Sequence, residues 1–221
     1  IEDRKFLLKN CYKIIFNSNW SKKRFLEGLE NKFINSDKLA VFYQSASKGK
    51  LSLLKHKKKW ITFVGKLNRA KGYDVFCKAI KDILNKNLDW KAKIIGDEKR
   101  EIINLNHINA DLLGFEKHGE VINVFKKSSI AVVWSRWEEP FGRTSLEASS
   151  RGCAVIISNR GGLPETVSNA IILRKLNSEN LFKSIEKLIL NKKIRNKLQK
   201  YFLKNFYLTN EYVTNKIDKY R

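Results

Sequence analysis

The sequence has no methionine, only two prolines, three cysteines and three histidines among its 221 residues. Each shortage argues against a class of protein. Cys11, Cys77 and Cys153 are far apart, odd in number and set in apolar surroundings, with no C-x-x-C pair. That is the pattern of buried free thiols in a reducing compartment, not of a disulfide-stapled scaffold. His56, His107 and His118 are scattered, so no metal site is expected from this chain. The longest apolar runs, such as "IAVVW" and "CAVII", fall far short of the roughly 20 residues that a membrane-spanning helix needs. No basic start followed by an apolar stretch marks a signal peptide. The chain opens at Ile1 without a methionine anywhere, so a piece of a longer protein is expected.

Acidic residues are scarce. Asp and Glu number 22 against 45 Lys and Arg, a formal net charge of +23. Such an excess suits an anionic partner: nucleic acid, a phospholipid surface or a phosphorylated ligand. The joint abundance of Lys, Asn and Ile is also what AT-rich coding produces, and both readings stay open. With 43% hydrophobic and 11% aromatic residues, the chain can bury a sizeable core, as one large domain or one domain with an appendage.

From residue 60 onward, short apolar runs alternate with helical periodicity. "WITFVG" (60–65), "WKAKIIGD" (90–97), "NADLLGF" (109–115), "IAVVWS" (130–135), "CAVIIS" (153–158) and "AIIL" (170–173) predict strands. Between them, "YDVFCKAIKDILNKN" (73–87), "EVINVFKKSS" (120–129) and "RTSLEASSRG" (143–152) predict helices. Continuously apolar strands alternating with helices indicate a parallel sheet covered on both faces, a doubly wound α/β architecture of about six strands. After residue 177 the pattern is helical: "SENLFKSIEKLIL", with Ser178 as the expected N-cap, then "KKIRNKLQKYFLKNF" and "TNEYVTNKIDKYR". Upstream, "YKIIFNS" (12–18) and "KLAVFY" (38–43) predict strands flanking a helix over 20–30 capped by Asn19 or Ser21. "KGKLSLLKHKKK" (48–59) reads as a basic connector. The boundary before the main domain is expected near residue 58.

Three loops carry candidate chemistry. After the first strand of the main domain, "VGKLNRAKGYD" sets Gly65 at a strand end and follows it with Lys66, Arg69 and Lys71. It is neither a Walker loop nor a G-x-G-x-x-G fingerprint. Its position is one where α/β folds bind anions, although an ordinary solvated basic loop would look the same. "WEEPFGRTSLEASSRG" (137–152) predicts a helix start at Phe141 or Gly142, whose unpaired amides attract a phosphate. Glu147 then falls on the second turn, roughly 8 Å along the axis. There it could accept from the two hydroxyls of a ribose, while Glu139, before the helix, could grip a second sugar. The competing reading makes Glu139 a cap and Glu147 a solvated residue. "SNRGGLPETV" (158–167) is a tight glycine turn, expected to face the same cleft as the other two loops.

In order along the chain, "FVGKLNRAKG", "IIGD", "LLGF", "VVWSRWEEPFGRTSLEASSRGCAVIIS" and "RGGLPETV" resemble the donor-binding C-terminal domain of retaining glycosyltransferases of family 4, which have the GT-B fold. The resemblance covers residues 60–175. It implies a division into residues 1–57, the remnant of an acceptor domain and its linker; 58–205, the Rossmann-like donor domain; and 206–221, a helix packing back toward the N-terminal domain. It implies that Lys66, where the family usually has Arg, and Lys71 neutralise the donor diphosphate. It implies that Gly65, Phe141, Gly142, Arg143 and Thr144 line the donor, that Glu139 holds the transferred sugar and Glu147 the ribose, and that Gly114 and Phe115 lie against the base. Ser135 matches a strand-end serine, while Trp134 replaces the usual proline before it.

The implied activity is transfer of a hexose or related sugar from a UDP-, GDP- or ADP-sugar to a glycan or lipid-linked acceptor in cell-surface polysaccharide synthesis. No metal or other cofactor is implied, and no D-x-D triplet occurs. The implied location is cytoplasmic, peripheral at the inner face of the plasma membrane. Two other classes compete: a basic nucleic-acid-binding module using residues 55–59 and 192–204, and a non-catalytic sugar-nucleotide sensor.

Overall fold

The structure, a computed structural model that describes residues 1–33 and 36–219, opens with a small N-terminal unit built on a two-stranded sheet. Helix α1 (Glu2–Asn10) and strand β1 (Ile14–Phe16) precede helix α2 (Asn19–Leu26) and strand β2 (Leu39–Val41), and the two strands pair in parallel. Leu8, Phe16 and Leu39 meet in a separate core beneath them. Helix α1 was not anticipated from the sequence. The cap of α2 is Ser18 rather than Asn19 or Ser21, its Oγ accepting the Ser21 N–H at 2.9 Å. The preceding residue, Asn17, spends its side chain on the Ser21 hydroxyl.

The expected connector contains a 3-10 turn over Leu51–His56 and gives way to β3 (Lys58–Val64). Then follow α3 (Tyr73–Lys86), β4 (Lys91–Ile95), β5 (Ala110–Leu112), α4 (His118–Lys127), β6 (Ser128–Val133), α5 (Arg143–Ser150), β7 (Ala154–Ser158), α6 (Leu163–Thr166), β8 (Ile171–Leu173), α7 (Ser178–Leu190), α8 (Lys192–Asn205) and α9 (Asn210–Asp218). Six strands form one parallel sheet in the order β5-β4-β3-β6-β7-β8. The period of two along each strand sorts its side chains between two cores. Ile61, Phe63, Ile130, Val132 and Ile156 face α3 and α7, whereas Ile95, Ala131, Val155 and Ile157 face α4, α5 and α8. In α3 the buried stripe Phe76, Ala79, Ile80, Ile83 and Leu84 follows the helical repeat onto the sheet.

Several expected boundaries move, two of them with a visible cause. Ser128 and Ser129 leave the helix and open β6, because Ser128 Oγ reaches both the Val124 carbonyl at 2.8 Å and Thr62 Oγ1 at 2.5 Å. Helix α7 is capped by Asn177, not Ser178, through the Asn180 N–H at 2.9 Å. The segment before α9 and α9 itself meet residues 42–46: the Ala46 N–H donates to the Leu208 carbonyl at 2.9 Å, and Lys216 of α9 sits over the Phe42 ring. Residues 220 and 221 of the expected last helix lie outside the described residues.

One cation anchors the linker where it enters β3. Lys57 Nζ donates to the carbonyls of Phe125, Ser128 and Arg151 at 2.9, 2.8 and 2.7 Å, collecting the ends of α4 and α5 beside the start of β3. Burial pushes this ammonium below the ordinary lysine value, and the three acceptors keep it tolerable. Lys57→Met removes the donor from three inward carbonyls at once. It should lower stability by about 2–4 kcal/mol, read as a fall in the urea midpoint at unchanged slope.

Candidate functional site

The strand order reverses at β3, whose neighbours are β4 on one side and β6 on the other. Connections leave for opposite directions there, and a crevice opens beyond the carboxyl ends of these two strands. A cleft of about 250 Å³ occupies that place, lined by Gly65, Lys71, Ser135, Glu139, Gly142, Arg143 and Thr144 together with Trp134 and Leu163. Seven of the twelve residues singled out from the sequence therefore share one cavity.

Helix α5 begins at the cleft. Its N-cap is Gly142, with φ of +111°, and no side chain caps it. A Cβ at this position would lie 2.3 Å from Leu163 Cδ2, so glycine is required on two counts. The first turn carries no acidic residue, and its positive end stays available to an anion. Opposite it, the Lys71 ammonium forms an ion pair with Glu139 Oε1. The Lys71 N–H donates to Asn68 Oδ1 at 3.0 Å, which fixes the loop that presents it.

Glu147 is only 7% exposed and stands beside the cleft rather than in its wall. Its Oε1 accepts from Arg143 Nε at 2.8 Å and lies 2.9 Å from His118 Nε2. Arg143 thus bridges the cleft to this carboxylate. Glu147 is not the solvated helix residue of the competing reading, and Glu139 pairs with a lysine instead of capping α5.

Other expected residues lie elsewhere. The Phe141 ring is 1% exposed and stacks on Tyr43, with centroids 5.5 Å apart, in a core with Leu146, Phe206 and Leu208. Its role is packing, because the Pro140–Phe141 turn points inward. Phe115 is 77% exposed and outside that lining, and Gly114 accepts the Gly96 N–H at 2.8 Å in a row of strand-end backbones. Lys66 is exposed beside Gly65 and outside the lining. Ser135 is buried, with its Oγ 3.0 Å from the Trp137 carbonyl and 3.2 Å from that of Ala70, so it ties the lysine-bearing loop to the end of β6.

The third glycine loop supports the site instead of facing it. Gly161 and Gly162 press against the backbone of residues 138–140, and the Gly162 N–H donates to the Glu139 carbonyl at 2.6 Å. Only Leu163 of that loop reaches the cleft. Trp134 forms the floor. Its ring is buried against Gly72, where a Cβ would come within 1.8 Å, and its Nε1 has no partner among the described residues. The Arg136 guanidinium covers the same ring and binds Asp74 through both carboxylate oxygens, at 2.7 and 2.9 Å. Sequence reasoning missed Arg136, Asp74 and the pairing of His118. The available signal was their place on loops just beyond strand ends and at helix starts.

The two basic runs set aside for nucleic acid also converge, at the opposite end of the strands. Lys57, Lys58 and Lys59 share a groove of about 720 Å³ with Lys192, Arg195 and Lys200, by the amino ends of β3 and β6. Among the described residues, no group of three or more His, Cys, Asp or Glu is placed to hold a metal ion, and no helix is long and apolar enough to cross a membrane.

The family model described as "Glycosyl transferases group 1" matches residues 47–204. An uncharacterized glycosyltransferase of Methanocaldococcus jannaschii is 33% identical over 202 residues, covering 86% of this chain and 53% of the relative. An uncharacterized 42.6 kDa protein in the cps region of Klebsiella pneumoniae is 30% identical over 166 residues, covering 73% of this chain and 42% of the relative. Among solved structures, Anabaena HepE in complex with UDP and glucose superposes with a TM-score of 0.76 at 17% identity, over 99% of this chain and 65% of that one. Sucrose-phosphate synthase of Thermosynechococcus elongatus superposes with a TM-score of 0.77 at 17% identity, over 98% and 59%. These neighbours share the α/β fold, and the chain spans about half the length of the first curated relative.

Two outcomes follow from the floor of the cleft. Burial raises the Asp74 carboxyl, but the Arg136 hydrogen bonds and charge outweigh it and hold the group below its ordinary value. That stabilisation is complete above the unfolded carboxylate pKa of about 4 and is lost as pH falls through the lower folded value. Asp74→Asn should therefore flatten the drop in Tm between pH 5 and pH 3. Gly72→Ala, placed at φ +69° against the Trp134 ring, should cost about 1–3 kcal/mol by urea unfolding.

Proposed function

This chain belongs to the group 1 glycosyl transferases, and from that premise we propose that it is the donor-binding half of a retaining enzyme. In this reading the enzyme moves a hexose or related sugar from a nucleoside-diphosphate sugar to a glycan or lipid-linked acceptor. The observation that carries it is the convergence of Lys71, Glu139 and the uncapped start of α5 on one cleft at the reversal of strand order.

The chemistry follows the charges. Breaking the bond between sugar and phosphate builds negative charge on the leaving diphosphate. Lys71, joined by Lys66 from its exposed position, and the amides of Gly142, Arg143 and Thr144 stabilise that charge without a metal ion. Glu139 turns from Lys71 to the hydroxyls of the transferred sugar, whose anomeric carbon gains positive character. Glu147, already oriented by Arg143 and His118, receives the ribose. The departing phosphate takes the acceptor proton on the same face, which retains configuration. Gly114 and Phe115 border the base. Solved neighbours bound to UDP and to UDP-glucose, and relatives from a cps region, favour a nucleotide-sugar donor and a polysaccharide setting. The net charge of +23 fits a cytoplasmic protein resting on an anionic membrane surface.

Calorimetry of the chain with UDP, GDP and ADP should give saturable heat with at least one of them. Lys71→Ala should weaken that binding about tenfold, as loss of a charge-assisted phosphate contact does. In the complete enzyme Glu139→Gln should abolish turnover while nucleotide binding persists. No saturable response to any nucleoside diphosphate, beside salt-dependent binding to random DNA, would replace this reading with the nucleic-acid module.

A further inference from the structure

The backbone that carries Glu139 is held at two successive carbonyls from two distant parts of the chain. The Glu139 carbonyl accepts from Gly162, in the turn before α6. The next carbonyl, that of Pro140, accepts from the Ser18 hydroxyl, 122 residues upstream, and Ser21 Oγ, also at the start of α2, lies 3.1 Å from it. Pro140 has no N–H to offer, so this carbonyl is the polar handle of the turn.

Glu165 closes the circuit between α2 and α6. One carboxylate oxygen accepts the Asn19 N–H at 2.7 Å, Asn19 Nδ2 at 3.0 Å and the Tyr43 hydroxyl at 3.0 Å. The other accepts the Trp20 N–H at 2.8 Å. A carboxylate from the sheet domain thus answers the unpaired first amides of α2, where its charge also suits the helix dipole. Burial, then Glu165, push the Tyr43 phenol up to about 12, in keeping with its hydroxyl donating to that carboxylate. The Tyr43 ring in turn stacks on Phe141. Residues 139, 140 and 141 are gripped in succession, two of them by the N-terminal unit.

The phosphate-facing backbone is held by other contacts, although the Lys71 ammonium itself pairs with Glu139. Lys71 is fixed through Asn68, and the start of α5 through Ser145, whose Oγ lies 2.7 Å from both the Gly142 carbonyl and Thr166 Oγ1. We propose that Ser18 and Glu165 are positioning residues for Glu139: by fixing the Pro140 carbonyl and docking α2 on α6, they aim the Glu139 carboxylate at the transferred sugar, and so act on the sugar more than on the grip on the nucleotide. This rests on the reading of Glu139 as the residue that holds the sugar.

The test is a set of paired titrations of the 221-residue chain with UDP and UDP-glucose, GDP and GDP-mannose, and ADP and ADP-glucose. The quantity read is the ratio of Kd for the free nucleotide to Kd for its sugar conjugate, in the pair where the sugar helps the unaltered chain most. Ser18→Ala and Glu165→Gln should each cut that ratio about three- to tenfold, the loss expected of one or two hydrogen bonds, while the free-nucleotide Kd moves less than about twofold. Ser18→Thr keeps the hydroxyl and should restore the ratio. Ile80→Val, in the remote core of α3, should lower Tm with the ratio unchanged. The inference is overturned if both variants keep the original ratio, or if nucleotide and conjugate weaken together in step with Tm. Failure of the underlying reading looks different: the unaltered chain then binds no nucleotide, or gains nothing from any sugar, and the inference falls with it.

Discussion

A parallel sheet cannot be wound in both directions without leaving a gap. Each crossover must climb over the sheet and return in a right-handed sense, so the chain goes from β3 to β4 and β5 on one side, then back to β6, β7 and β8 on the other. At β3 and β6 the loops diverge, and everything of chemical interest in this molecule hangs from those two strand ends. Gly65 and Lys71 follow β3, while Ser135, Glu139 and the start of α5 follow β6. The hydrophobic layers on either face keep the strands in register and thereby set the distance across the crevice.

Two half-buried charges in this fold sit where they gather loose backbone ends. Lys57 collects three carbonyls at the termini of α4 and α5, and Glu165 collects two amides at the beginning of α2. Each is a full charge opposed to helix-end dipoles of the right sign, which offsets its desolvation. Lys57 also anchors the linker to the sheet domain, and Glu165 joins the N-terminal unit to it near the cleft. The two units consequently meet through oriented polar contacts as well as through the Tyr43–Phe141 stack.

The strands and most helices were legible because their signal is local. "WITFV", "KAKII" and "AVIIS" are short, apolar and bounded by glycine or polar residues, and the helical stripe of Phe76, Ala79, Ile80 and Ile83 repeats within two turns. Gly142 and Lys71 were legible for a related reason, since strand-end loops of an α/β sheet converge wherever their sequence leads. What stayed hidden depends on partners far along the chain. Phe141 looks like a cleft residue until Tyr43 and Phe206 arrive to bury it. Gly161 and Gly162 look like ligand-facing glycines until the Glu139 backbone occupies their missing side chains. The cap of α2 was misplaced by a residue because Ser18, Asn19 and Ser21 are chemically equivalent candidates, and the choice among them is made by Pro140 and Glu165. His118, one of three scattered imidazoles by sequence, stands against Glu147 only because α4 and α5 pack side by side.

The pairing of Lys71 with Glu139 also bears on how a strongly basic molecule would meet a doubly charged guest. Paired with each other, these two side chains cancel in charge. An incoming diphosphate would swap places with a carboxylate already there, so the exchange liberates few counterions. Ligand capture would then vary less steeply with ionic strength than the overall charge of +23 would suggest, leaving long-range attraction to the outer surface as the salt-sensitive part.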